Sequence, residues 1–185
     1  NSNMGPADCL ILTHELQARR ATASLALVDI AFNKIVGEGG AALVEALKTS
    51  SVKFLGIGKQ FQSTDGTLIT RSLVQTGVNL SLAGRVGEVV EIYVSSPDFI
   101  KMKWGDDGST SDYIGINTMD GEPLNLPLQS NFQGSFLDLS HQQLDPGYVK
   151  ILAWWLTTPF SASIARISLS GNMITGLEEN DDYEM

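Results

Sequence analysis

One spacing of apolar residues recurs along this chain, and that period constrains its fold more than any other feature. Beginning at Leu25, LALVDIAFNKI places Leu25, Val28, Ile30, Asn33 and Ile35 at intervals that return in three other stretches. From Val52 the matching residues are Val52, Leu55, Ile57 and Gln60. From Gly134 they are Leu137, Leu139, Gln142 and Leu144, and from Ile164 they are Ile164, Ile167, Leu169, Asn172 and Ile174. A fixed period of this kind predicts a unit that cannot bury its apolar face alone and must stack on its neighbours.

Each unit reads physically as a strand, a turn and a helix. The two middle apolar residues alternate on a short strand and point to one side. The amide of the following Asn satisfies backbone groups of the turn. A helix then returns the chain for the next, parallel strand. Gly37-Glu38-Gly39-Gly40 opens such a helix, with Ala42, Leu43, Ala46 and Leu47 at inward spacing. After Gln142 the match continues without a gap: Leu152 falls where Leu43 stands, and Trp155-Leu156 where Ala46-Leu47 stand.

The unit length and the phrase NKIVGEGGAALVEAL resemble the helix-bearing leucine-rich repeats of ribonuclease inhibitor and of the sensor domains of NOD-like receptors. Leu25 and Val52 are separated by 27 residues, and Gly134 and Ile164 by 30. The resemblance covers Leu25 to Phe61 and Gly134 to Gly176. It implies an α/β solenoid of three to four repeats, with parallel strands inside and helices outside, that binds another protein on its concave face. Two departures stand out. Gln60 and Gln142 replace Asn, which predicts looser turns, and Gly134 replaces the first Leu of its unit, which predicts a cavity or an altered entry. The preceding CLILTHELQARRATAS is read as a capping element, with Leu16 in the place of Leu43.

Between Phe61 and Gly134 the period fails and strand signals take over. GRVGEVVEIYV alternates, DFIKMKW follows, Asp107-Gly108 marks a hairpin turn, and STSDYIGI comes after it. The phrase RVGEVVEI…FIKMKWGDDGSTSDYI is similar to the small SH3-like barrels of Mind-bomb-type ubiquitin ligases. It implies a β-rich insertion that reads a ligand or peptide with aromatics, so Tyr93, Phe99, Trp104 and Tyr113 are its candidates; the plainer reading is that most of them fill the barrel's own core. DDGSTSD is a turn rather than a calcium loop, because Lys103 and Gly105 stand where ligands are needed. The expected organisation is a cap and first repeats over 1–61, the SH3-like insertion over 62–133, further repeats over 134–177 and an acidic tail over 178–185.

Charge and composition exclude several functions. The net charge is −9, with 21 acidic and 12 basic residues, which argues against nucleic acid and against an anionic membrane surface. No apolar run reaches membrane-spanning length. The single cysteine, Cys9, rules out an intramolecular disulfide and suits a cytoplasmic, intracellular setting. The Asn79-Leu80-Ser81 sequon is read as a chance triplet. Two histidines, His14 and His141, fall in no zinc spacing, and Cys9 and His14 share no helix face well enough to act as nucleophile and base. GEGG lacks the Lys and Ser/Thr of a nucleotide loop. The expectation is therefore a non-enzyme with no cofactor and no metal. Helix-bearing repeats also occur in GTPase activators of the Ran type, and Arg166 is the residue that this less favoured alternative uses.

On each expected strand the neighbours of the inward residues point outward and stack into columns. The first is Leu27, Phe54, Phe136 and Arg166; the second is Asp29, Gly56, Asp138 and Ser168; the third is Ala31, Gly58, Ser140 and Ser170. An apolar edge beside an acidic centre predicts a surface for another protein, within a larger assembly. Leu27, Asp29, Phe54, Phe136, Asp138, Arg166 and Ser168 are its candidate contacts. Trp154 falls where Glu45 does, so it is expected to face outward and to meet a partner rather than the core.

Overall fold

The structure is a computed structural model and describes residues 6–18, 25–95 and 98–175. The acidic stretch 178–185 and residues 19–24 of the expected cap lie outside the described residues. None of the described helices is long and apolar enough to cross a membrane.

Three helices, α1 (Pro6–Gln17), α2 (Gly37–Thr49) and α3 (Pro146–Leu156), pack side by side with α2 in the middle. α2 turns Leu43, Ala46 and Leu47 inward, as the spacing requires, and buries Val44 as well, while Ala42 is only half-buried. α3 is started by Asp145, whose carboxylate accepts from Gly147 N at 2.9 Å and Tyr148 N at 3.4 Å, with Pro146 in the first turn. The same carboxylate accepts from Ile35 N, so the cap also ties α3 to the strand–helix turn of the first unit. α2 and α3 approach until a Cβ on Gly40 would lie 2.3 Å from Gly147 O.

The strands are β1 (Leu27–Asp29), β2 (Phe54–Gln62), β3 (Leu68–Ile69), β4 (Asn79–Leu82), β5 (Arg85–Ile92), β6 (Phe99–Trp104), β7 (Ile114–Gly115), β8 (Gly121–Pro127), β9 (Phe136–Asp138) and β10 (Arg166–Ser168). β1 runs parallel to β2 with Leu27 opposite Phe54, and β9 parallel to β10 with Phe136 opposite Arg166. These are the pairings that the repeated spacing demands. The expected leucine-rich-repeat solenoid is nevertheless not what forms. β2 gives its second edge to β8, antiparallel from Phe54 opposite Pro127 to Phe61 opposite Gly121, with a bulge between Gly56 and Gly58. β9 and β10 stand apart as a two-stranded sheet. The fold is instead a mixed α/β arrangement in which most ladders are antiparallel. The reason lies in β8: Leu124 and Leu126, with Leu128 just after it, enter the same core as Leu55 and Ile57, so β8, not the next repeat, takes the edge of β2.

β4 to β7 form an antiparallel meander curled into a half-barrel rather than a closed barrel. The turn after β6 brings Ser109 O to Trp104 N at 2.8 Å, with Gly108 at φ +69°, where a residue without Cβ is at ease. The half-barrel has its own core of Val74, Leu80, Val89, Ile100, Met102, Trp104, Ile116 and Met119, which Phe61 joins from β2. Strand β2 thus runs through both cores and across the 61/62 junction.

Four local expectations also change. Gln60 makes no turn, because β2 continues through it to Gln62. Gln142 is not loose: it is buried, and both ends of its amide are bonded to Lys59. The place facing Gly134, which sits at φ +146°, is occupied by Phe132, whose ring packs edge-on to Trp155 at 6.0 Å. Trp155 is fully buried and donates its indole N–H to Pro127 O at 2.8 Å. Trp154 does not face away from the core as expected. It is half-buried and packs against it, because α3 is apolar over more of its circumference than α2.

Candidate functional site

The outward side chains of β9 and β10 form the floor of an open groove of about 920 Å³. β8 supplies one wall through Pro123 and Asn125, the loop after β3 another through Thr70, Ser72 and Leu73, and Phe132 with Gln133 one end. Phe136 is 41% exposed on the floor, and the Arg166 guanidinium lies 4.0 Å from its ring centroid. Stacking of this kind fixes a flexible cation without neutralising it.

Asp138 holds the loop down. Its carboxylate accepts from Thr70 Oγ1 at 2.8 Å, from Ser72 Oγ and from Ser140 N at 3.0 Å. Burial pushes its pKa up, but the bonds from Ser72, Ser140 and Thr70 outweigh this and hold it below the ordinary carboxylate value. Beside it Ser140 Oγ lies 2.6 Å from Ser168 Oγ, and Ser170 Oγ donates to Ser140 Oγ at 3.0 Å. Asn125 Oδ1 is shielded from water yet accepts no hydrogen bond.

The expected outward columns are therefore divided. Phe136, Asp138, Arg166 and Ser168 meet in the groove. Leu27 and Phe54 form a separate pair, with β8's Pro127 on the far side of Phe54. Asp29 accepts from Ala31 N at 2.9 Å and lies so close to β2 that a Cβ on Gly56 would be 2.7 Å from its Oδ1. It lines a smaller pocket of about 330 Å³ beside Lys59. There Lys59 Nζ donates to Asn117 O at 3.1 Å and to Met119 O; burial lowers its pKa, against the pull of Asp120 and Asp29. Trp154 belongs to neither pocket.

On the half-barrel, Tyr93, Phe99 and Tyr113 are exposed, and Trp104 is not. The rings of Tyr93 and Tyr113 lie 5.0 Å apart, with Lys101 Nζ 4.4 Å from the Tyr113 centroid. Glu91 accepts from both Tyr113 and Lys101. Trp104 fills the half-barrel's core beneath the Arg85 guanidinium, 4.5 Å from its ring.

Among the described residues no group of three or more His, Cys, Asp or Glu is placed to hold a metal. Cys9 is buried against Gly39, its thiol pKa pushed up by burial and then by Asp8 and Asp145, while His14 is exposed. Thr70, Ser72, Asn125 and Gln133 had no place among the sequence-derived candidates. The alternation Leu124-Asn125-Leu126 carries the signal that would have found Asn125, since it marks a strand with a polar outer face. Nothing in the spacing of Thr70 and Ser72 foretells their bond to Asp138, which is 66 residues from Ser72. No family model, curated protein or solved structure matches the chain.

Proposed function

We infer that this protein is a recognition module that binds an extended segment of another protein in the groove over β9 and β10. One observation carries the reading. The groove floor presents an exposed aromatic ring stacked with a cation, Phe136 with Arg166. Aromatic and arginine side chains together are the commonest anchors of protein interfaces. A half-polar wall with fixed hydroxyls adds orientation. Binding rather than catalysis is the reading, in a reducing, cytoplasmic setting that suits a lone buried cysteine.

A phage-displayed random peptide library panned against the full chain tests it. Selected peptides should lose affinity by about tenfold or more with Phe136→Ala or Arg166→Ala. Peptides indifferent to both changes overturn the reading. A second reading rests on the exposed Tyr93, Phe99 and Tyr113 of the half-barrel, and peptides lost only with Tyr93→Ala and Tyr113→Ala support that one instead.

A further inference from the structure

Within the repeated spacing, three copies bury their strand residues: Val28 with Ile30, Leu55 with Ile57, and Leu137 with Leu139. In the last copy the equivalent Ile167 and Leu169 are only half-buried. Among the described residues the core is therefore closed everywhere along the spacing except beside β10. Among the described residues β10 pairs with β9 alone. Arg166 N donates to Ser135 O, and Ser168 O accepts from Leu139 N, so residues 166 and 168 spend their backbone groups on β9. By the alternation of a parallel ladder, the N–H and C=O of Ile167 point to the open edge.

Arg166 says what chemistry belongs there. Its guanidinium is exposed, stacked on Phe136, and no carboxylate lies within ion-pair distance among the described residues. The nearest acid on the groove floor, Asp138, is engaged by Thr70, Ser72 and the Ser140 amide. A strand laid on β10 presents a side chain directly beside Arg166 on this face, and a carboxylate there completes a charge-assisted pair. On the opposite face the strand's alternate residues cover Ile167 and Leu169, so they must be apolar. A second copy supplies no such match through β10, whose Arg-Ile-Ser sequence contains no acid.

We propose that β10 is a docking edge for a β-strand of another polypeptide, one that alternates apolar residues with polar ones and carries an acidic residue opposite Arg166. This rests on the groove reading and extends it from the floor to the free edge of β10: main-chain pairing supplies affinity, and the acid at Arg166 supplies register.

The probe is a synthetic peptide alternating isoleucine and threonine, with glutamate replacing one threonine, followed by fluorescence anisotropy on the full chain. Binding is expected, weakened about tenfold by Arg166→Ala. N-methylation of the peptide backbone on its pairing edge should abolish it. A lysine-for-glutamate peptide should bind Arg166→Glu better than the unaltered protein. Binding that ignores Arg166 or the N-methyl group overturns the proposal, as does a dimer in sedimentation that Ile167→Glu dissociates. So does strong hydrogen-exchange protection of the Ile167 amide, without peptide, that disappears when the chain is cut after Thr175. If this peptide fails while library peptides still depend on Phe136, strand pairing is wrong and the groove stands. If both fail, neither reading survives.

Discussion

Gln142 closes both backbone groups of Lys59, a residue 83 positions earlier: its Oε1 accepts from Lys59 N at 2.8 Å and its Nε2 donates to Lys59 O at 3.2 Å. These groups point away from Pro123, which lies opposite Lys59 at a non-hydrogen-bonded position of the β2–β8 ladder. The side-chain amide thus does what a neighbouring strand would do on that edge. Gly58 leaves the room, since a Cβ there would lie 2.4 Å from Gln142 Oε1.

Replacing Gln142 by Leu should therefore cost about 2 kcal/mol or more, because two backbone groups lose their partners. Gly58→Ala should also destabilise, and less so in a Gln142→Ala background, where the clash is gone. Urea unfolding of the two single variants and the double variant measures the coupling. Strict additivity would mean that the two residues do not interact.

Gly40→Ala is ordinarily favourable inside a helix by about 1 kcal/mol. Here the added methyl meets the backbone of Gly147, which cannot rotate away. The expected outcome is a net loss of about 1–3 kcal/mol, the scale of overpacking, seen as a lower thermal midpoint by circular dichroism. A rise in the midpoint would show that α2 and α3 are not pressed together at this point.

Tyr148 hydroxyl donates to Ile30 O and accepts from Asn33 N at 3.3 Å, joining α3 to the turn after β1. Burial pushes its pKa well above that of a free tyrosine. Tyr148→Phe should cost about 1–2 kcal/mol by leaving the Ile30 carbonyl and Asn33 amide short of a partner. Ultraviolet titration should find its phenol un-ionised until the protein unfolds in alkali. Ionisation in the range of a free tyrosine while the protein is still folded contradicts the burial described.

The clamp at Asp138 has a defined pH signature. Its folded pKa is depressed, so its stabilisation is present above the unfolded pKa and is lost as pH falls through the folded pKa. Asp145 acts oppositely: burial raises its pKa despite the amides that it accepts, so its contribution weakens as pH rises from the unfolded value through the folded one. Hydrogen exchange at the Ser140 amide should quicken in acid below the ordinary carboxylate range, and Asp138→Ala should make it fast at neutral pH with little further acid dependence. An unchanged exchange profile in Asp138→Ala would show that the clamp does not hold this segment.

The sequence alone determined the strand faces. Alternating apolar residues told which side of β1, β2, β9 and β10 faces inward, and the parallel registers of Leu27 with Phe54 and Phe136 with Arg166 are those the spacing implies. It also identified Leu43, Ala46, Leu47 and Trp155 as inward on their helices. Tertiary structure decided which strands become neighbours. An apolar period records which face must leave water, but the hydrophobic effect has no direction, and any strand with a matching face can accept that edge. β8 took the edge of β2, with Leu124, Leu126 and the following Leu128 completing the core, and this turned an expected solenoid into a mixed sheet. The same event built the groove, since Asn125 arrives with β8, and Thr70 and Ser72 reach Asp138 only once their loop has folded over β9. Hydrogen bonds spanning 66 and 68 residues leave no local trace in a sequence, because their geometry exists only after the chain between them has folded.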